Sequence, residues 1–178
     1  MIRTSLAVFS TFALAAEAVN IEGENLEKVP HKCRALALSG GAVKGAFEAG
    51  AIHGLMHAGD PKDFAWDVVV GTSIGAINAA LIGAWPKNRG IQMSDSLINQ
   101  WSRIKTDDVY HPFPEGSGPH LSQYDSTNLK NFMTDRMKEI LDPHHGFYKR
   151  TSVGLVNFPS MTYELVDLDK IPLDQALQ

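Results

Sequence analysis

The chain has 178 residues, of which 44% are apolar and 20% charged, and its formal net charge is −4. These values predict one soluble globular domain with a substantial core, and the acidic balance argues against nucleic acid as a partner. The one cysteine, Cys33, excludes an internal disulfide and is expected to be a packed structural thiol.

The first 18 residues have the pattern of a secretory signal peptide. Arg3 supplies a positive start, residues 6–16 are apolar, and Ala16-Glu17-Ala18 fits a small-x-small cleavage site. We therefore expect a signal peptide at 1–18, a polar leader at 19–33, and a secreted protein or one in the lumen of the secretory pathway. A buried or amphipathic N-terminal helix is the alternative that this pattern leaves open.

Two apolar runs, residues 35–39 and 66–70, each end in a glycine turn that precedes a helical pattern. The repeated order of strand, tight turn and helix predicts parallel strands in an α/β fold. The second turn is Gly71-Thr72-Ser73-Ile74-Gly75, which fits a sharp strand-to-helix turn that presents a nucleophilic serine. We expect the turn to require glycine at both of its glycine positions, Gly71 and Gly75, because any Cβ there would crowd the strained backbone.

The first turn, Gly40-Gly41-Ala42-Val43, offers backbone N–H groups at the start of a helix, where they stabilise negative charge. A P-loop is excluded because Lys44 is followed by Gly45 rather than by Ser or Thr. A dinucleotide fingerprint is disfavoured because Ala42 occupies the place of its second glycine. A nucleophile turn beside an oxyanion turn fits acyl transfer best.

Further along the chain, the patterns predict alternating helices and loops and a C-terminal hairpin. The predicted elements are a helix at 43–58, a helix at 93–104 capped by Ser94 or Asp95, a loop at 110–122, a helix at 128–141, paired strands at 151–157 and 161–167, and a helix from 171 to 178.

The histidines do not form a recognisable catalytic or metal motif in the sequence. His53 and His57 are four residues apart on the first helix, but Gly54 occupies the place where a zincin needs glutamate, so no metal site is predicted. His111 and His120 fall in the long loop and are expected to be solvated rather than catalytic.

The segment from Leu38 to Gly45, with Gly50 and the run from Gly71 to Ala76, resembles the patatin-like phospholipases in order and spacing. The resemblance implies a three-layer α/β/α sandwich with a mainly parallel sheet. It also implies a lipid acyl hydrolase, of phospholipase A or lysophospholipase type, that uses a Ser–Asp dyad without catalytic histidine, metal or cofactor. Ser73 matches the nucleophile, and the N–H groups of Gly40, Gly41, Ala42 and Val43 match the oxyanion hole.

The same resemblance implies a lipid or phospholipid substrate and allows peripheral contact with a membrane. It leaves the oligomeric state open. In this sequence Ala42 replaces the usual third glycine of the loop. Alanine keeps its N–H, so the replacement is tolerable if the φ angle of Ala42 is negative.

The family's dyad aspartate lies in an Asp-Gly-Gly or Asp-Gly-Ala motif, and no Asp-Gly occurs in this sequence. We therefore expect residues 34–178 to hold a domain that is truncated at its C-terminal side, with very low turnover. No available aspartate has suitable neighbours, and those available are Asp125, Asp142, Asp167, Asp169 and Asp174. Two alternatives remain, which are an α/β-hydrolase with a Ser-His-Asp triad and a non-catalytic lipid-binding or interaction protein.

Overall fold

The structure, a computed structural model, describes residues 32–119, 124–142, 144–157, 159–172 and 175. The fold belongs to a unit that runs from Cys33 to Gln178. The predicted signal peptide, most of the predicted leader and most of the helix predicted at 171–178 lie outside the described residues. Among those residues, every helix is too short or too polar to cross a membrane.

One four-stranded sheet organises the fold, and its strands follow each other in sequence order. The strands are β1 (Ala35–Leu38), β2 (Val68–Thr72), β3 (Arg150–Asn157) and β4 (Thr162–Asp167). β1, β2 and β3 are parallel, and β4 returns antiparallel to β3 as the predicted hairpin. Leu38 of β1 lies beside Gly71 of β2, so the two strands end together and their glycine turns are neighbours.

Helices connect the strands, as the alternating pattern predicts. They are α1 (Gly45–Ala58), α2 (Ile74–Gly83), α3 (Gly90–Arg103), the single turn α4 (Thr106–Val109) and α5 (Thr127–Ile140). Short 3-10 turns at Ala42–Lys44, Pro61–Phe64, Lys87–Arg89 and Leu168–Lys170 precede or follow these elements. The predicted α/β class with a mainly parallel sheet is confirmed.

One face of the sheet is buried against α2. Leu36, Val69 and Thr151 lie side by side on this face, and Val69 and Thr151 are fully buried. Gly83 allows the close approach, because a Cβ there would lie 2.0 Å from Thr151 Oγ1. The helix is apolar around most of its circumference because it lies between the sheet on one side and α1 and α3 on the other.

The opposite face is open to solvent at the β3–β4 hairpin. Val156, Tyr163 and Leu165 lie on this face, and their side chains are exposed. The Tyr163 hydroxyl reaches across Gly154 and lies 3.0 Å from Thr72 Oγ1, which ties the hairpin to the end of β2.

Two local predictions are wrong. The helix predicted at 93–104 begins earlier, at Gly90, so neither Ser94 nor Asp95 caps it. Ser94 is buried inside α3 and donates to the carbonyl of Ile91. Cys33 is exposed rather than packed, because the entrance of β1 is itself open to solvent, as the exposed Ala35 shows.

Candidate active site

Ser73 sits on the sharp turn between β2 and α2. Its backbone has φ 54° and ψ −124°, a region that residues other than glycine rarely occupy. Ser73 is the N-cap residue of α2, but its side chain makes no capping hydrogen bond. Its exposed hydroxyl is therefore presented at the carboxyl edge of the sheet, over the N-terminus of a helix.

The glycines on either side of Ser73 are required by backbone contacts. A Cβ on Gly71 would lie 2.0 Å from the carbonyl oxygen of Gly75. A Cβ on Gly75 would lie 2.6 Å from the carbonyl oxygen of Leu38 and 2.7 Å from that of Ser39. Because these neighbours are backbone atoms, they cannot rotate away, and the predicted steric need for small residues is confirmed.

The first glycine turn lies directly against this serine. A Cβ on Gly40 would be 3.2 Å from Ser73 Cβ and 3.8 Å from Ser73 Oγ. Gly41 has extended backbone, with φ 173°, and its carbonyl accepts the N–H of Lys44. The two turns that the sequence places about thirty residues apart therefore form one site.

The sequence analysis expected Ala42 to be tolerated if its φ angle were negative, and that condition is not met. Its φ is 50°, in the left-handed region where glycine is favoured. An alanine held there costs about 1–2 kcal/mol relative to its preferred conformations. The loop keeps the left-handed conformation that a third glycine would adopt without strain, and the backbone of Ala42 is strained in that conformation.

A buried polar network behind the two turns was missed in the sequence. Asn78 of α2 is fully buried and donates to the carbonyl of Gly45 at 3.0 Å and to Glu48 Oε2 at 2.9 Å. Its Oδ1 accepts the indole N–H of Trp101 at 2.9 Å. Glu48 in turn accepts the backbone N–H of Ser39, which enters the first glycine turn.

This network links α1, α2 and α3 to the loop beside Ser73, and every polar atom of Asn78 has a partner. A signal for it exists in the sequence, because Asn78 is the one polar residue in the apolar run from Ile74 to Leu81. A polar residue at the centre of such a helix is costly unless it is hydrogen-bonded.

An apolar cavity of about 390 Å³ begins beside the site. Ala42 and Val43 of the glycine turn and Ile74, the residue after Ser73, form part of its wall. The remaining wall is mostly aliphatic and aromatic, and it includes Leu81, Trp101, Val109, Leu129, Phe132 and Met133. Gln100 also belongs to the wall, and its Oε1 is buried without a hydrogen-bond partner among the described residues.

The Ser73 hydroxyl has no hydrogen-bond partner among the described residues, and the aspartates considered in the sequence have other contacts. Asp125 accepts the N–H of Thr127 and lies 3.5 Å from the imidazole of His111. Asp169 accepts the N–H of Thr151. Asp174 lies outside the described residues.

The other two aspartates are engaged as anions. The N–H of His144 holds the pKa of Asp142 below its ordinary value. Lys170, followed by the hydroxyl of Ser152, lowers the pKa of Asp167 to about 2. Neither carboxylate is hydrogen-bonded to Ser73 among the described residues, so these residues give no support for a base.

The far end of α2 is held by a buried cation. Lys149, only 5% exposed, donates to the carbonyls of Ile82 and Trp85 at the C-terminus of the helix. Burial lowers the pKa of its ammonium to about 8. A positive charge at this position complements the helix dipole.

A comparison with protein-family models matches residues 36–169 to the patatin-like phospholipase family, over about three quarters of the chain. A comparison with curated proteins finds no match. The matched range contains both glycine turns, the polar network and the cavity wall. The chain therefore belongs to the patatin-like phospholipase family.

Proposed function

We propose that this protein is a serine lipid acyl hydrolase, in which Ser73 attacks the ester carbonyl of a lipid or phospholipid. The N–H groups of Gly40, Gly41, Ala42 and Val43 are proposed to stabilise the oxyanion of the tetrahedral intermediate. The family membership makes a lipid substrate the natural class.

The observation that carries this proposal is the contact between the two turns. Ser73 is held at positive φ by glycines that admit no side chain, and Gly40 lies against its Cβ. A carbonyl attacked by Ser73 Oγ would therefore have its oxygen beside a helix-initiating loop of backbone N–H groups. Removing one such donor typically slows the chemistry about 10²–10³-fold.

The apolar cavity supports an acyl chain as the group that enters. Its wall begins at Ala42 and Ile74, which flank the turns, and continues along apolar side chains of α3 and α5. An acyl chain bound there would bury its methylene groups at about 0.8 kcal/mol each. The ester group would remain near Ser73.

We further propose contact with a membrane surface and secretion. Val43, in the 3-10 turn before α1, and Phe47, in the first turn of α1, are 83% and 79% exposed, although both are large apolar residues. Their positions flank Ala46, which lines the cavity, so a lipid surface touching them would face the cavity. The signal-peptide pattern of residues 1–18 supports delivery to the secretory pathway.

In the proposed mechanism the Ser73 hydroxyl loses its proton to a base as Oγ bonds to the ester carbon. The leaving alcohol takes up a proton, and water then releases the fatty acid from the acyl-enzyme. In the family this base is an aspartate. We propose that no described residue supplies it, so this chain turns over very slowly, because a protonated serine is a weak nucleophile.

The test is labelling of the full chain with a fluorophosphonate probe, followed by mass spectrometry of the modified peptide. We expect slow adduct formation on Ser73 and its loss in Ser73→Ala. Ser102→Ala is the matched control, because Ser102 is exposed on α3 and donates only to the carbonyl of Asn99. Labelling that survives in Ser73→Ala would refute the assignment.

A second candidate is a non-catalytic lipid-binding protein. The observation that favours it is the absence of a hydrogen-bonded base at Ser73 among the described residues. This candidate predicts that fatty-acid binding is the same in the wild type and in Ser73→Ala, with no ester hydrolysis by either.

A Ser-His-Asp triad, the other alternative, predicts instead that replacing one histidine abolishes hydrolysis.

A further inference from the structure

Three potential metal ligands converge on the side of the molecule formed by α1 and α3. His53 and His57 lie one turn apart on α1, and their rings are 4.1 Å apart. Both Nε2 atoms point at the same oxygen of Asp95 on α3, at 3.1 Å for His53 and 2.8 Å for His57. One ligand atom from each of the three residues lies within 4.8 Å of the others.

These distances match what a small transition-metal ion requires. Zinc binds imidazole nitrogen and carboxylate oxygen at about 2.0–2.2 Å in a tetrahedral arrangement, which places neighbouring ligand atoms about 3.3–3.5 Å apart. The observed separations from Asp95, 3.1 and 2.8 Å, are about 0.2–0.7 Å shorter than this, so side-chain rotations that open the cluster would admit an ion. Two histidines at i and i+4 on a helix present their rings on one face.

The positions of the protons on the two imidazole rings are also compatible with binding of a metal ion. A carboxylate only accepts hydrogen bonds, so an imidazole that bonds to Asp95 through Nε2 does so as the Nε2–H tautomer. A metal ion needs the Nε2 lone pair, so metal binding requires the tautomer with its proton on Nδ1. The exposed side chains, 36% for His53, 42% for His57 and 52% for Asp95, leave room for this change and for a water ligand.

We propose that His53, His57 and Asp95 form a binding site for a divalent transition-metal ion, with Zn²⁺ as the preferred type. Two neutral nitrogens and one carboxylate suit zinc and exclude calcium and magnesium, which take oxygen ligands. With three protein ligands, the fourth position is open to water.

The ion would join α1 to α3 as a cross-link. These helices carry Glu48 and Trp101, which hold Asn78 behind the glycine turns. The metal site is nevertheless separate from Ser73, and its existence does not depend on hydrolase activity. The sequence analysis predicted no metal site because Gly54 replaces the zincin glutamate, and it could not anticipate Asp95, which comes from a helix about forty residues later.

The experiment uses the full chain, with Co²⁺ as the spectroscopic probe and Zn²⁺ as the competitor. We expect one equivalent of Co²⁺ to bind in the micromolar range with a visible absorption band, and Zn²⁺ to displace it. At a hundredfold excess over its Kd, Zn²⁺ should raise the unfolding temperature by about 5–10 °C.

Asp95→Asn and His57→Ala should each weaken binding at least about tenfold, the smallest effect seen even for outer-shell partners. Asp95→Glu should retain the band, because it keeps a carboxylate. The matched control is His144→Ala, which removes an exposed histidine from a turn elsewhere in the chain. Asp95 is exposed, so its variants should fold normally, and far-ultraviolet circular dichroism would verify this.

Two results would overturn the proposal. One is Co²⁺ binding that is unchanged in the double variant His53→Ala/His57→Ala, which would place the ion on other histidines. The other is no saturable binding of Co²⁺ or Zn²⁺ by the wild type below about 1 mM, the limit at which binding free energy is only about 4 kcal/mol.

Discussion

The two glycine turns of this protein meet at one point but are built differently. Around Ser73, the glycines face backbone atoms, since a Cβ on Gly75 would lie 2.6 Å from the carbonyl oxygen of Leu38. In the first turn, a Cβ on Gly41 would meet only the side chain of Lys44, at 3.1 Å. Both turns hold a residue with a side chain at positive φ, Ser73 at 54° and Ala42 at 50°.

The difference shows which strain has an evident use. At Ser73 the strained backbone presents a hydroxyl to the site, and the surrounding backbone enforces the conformation. At Ala42 the side chain is a methyl group that a glycine would lack, and the conformation is one that glycine adopts freely. The conformation of the serine turn is therefore fixed by steric contacts with backbone atoms. The conformation of the first turn depends instead on its local backbone preferences and on the hydrogen bond from the Ser39 N–H to Glu48.

The largest expected effect is on Gly75. Gly75→Ala should destabilise the protein by about 3 kcal/mol or more, because the added Cβ overlaps backbone atoms that cannot rotate away. The measurement is urea unfolding followed by tryptophan fluorescence.

Gly41→Ala is the matched control for that substitution. Its φ of 173° lies outside the left-handed region, and the added Cβ would meet Lys44 Cβ at 3.1 Å, a tight contact that a small shift relieves rather than an overlap with backbone atoms. We expect a change below about 1 kcal/mol. Equal destabilisation by the two substitutions would contradict the steric distinction between the turns.

The next effect concerns the opposite end of α2, the helix that starts at Ser73. The pKa of Lys149 in the folded protein is lowered from 10.5 to about 8 by burial, so between these values the unfolded chain binds more protons. Stability should therefore rise with pH from about 8 to about 10.5, by at most about 3 kcal/mol. Below pH 8 the lysine is charged in both states, and its burial cost is fully present.

The measurement is the free energy of unfolding at several pH values for the wild type and for Lys149→Met. Groups that titrate elsewhere contribute equally to both proteins, so the difference isolates Lys149. A difference that stays constant from pH 7 to pH 10.5 would show that the ammonium is not desolvated in the folded state.

The smallest effect is on Ala42. Ala42→Gly should stabilise the protein by up to about 1 kcal/mol, because relief of about 1–2 kcal/mol of strain is partly offset by the greater entropy of glycine in the unfolded chain. Thermal unfolding at matched concentration would measure it. Destabilisation instead would mean that the Ala42 methyl group, which lines the cavity, contributes more by packing than its backbone loses by strain.

The local chemistry of this chain was readable from its sequence. Strand, glycine turn and helix recur in the apolar pattern, and the parallel pair β1–β2 and the β3–β4 hairpin follow that pattern closely. The need for glycine at 71 and 75 was predictable from the motif, but its causes differ: at 71 the crowding atoms belong to the same turn, whereas at 75 they are the carbonyl oxygens of Leu38 and Ser39. The beginning of α3 was not, since Gly90 starts a helix where it packs against Met56, and this contact comes from another element.

The sequence by itself determined the features that local patterns encode. These are the two glycine turns as motifs, the order of the elements and the family to which the chain belongs. The tertiary structure alone decided the features that join distant residues. It set Asn78 between Glu48 and Trp101, brought Asp95 to the histidine pair, and placed Ala42 at positive φ. The physical reason is that burial, hydrogen-bond pairing and backbone strain depend on neighbours that only the folded chain assembles.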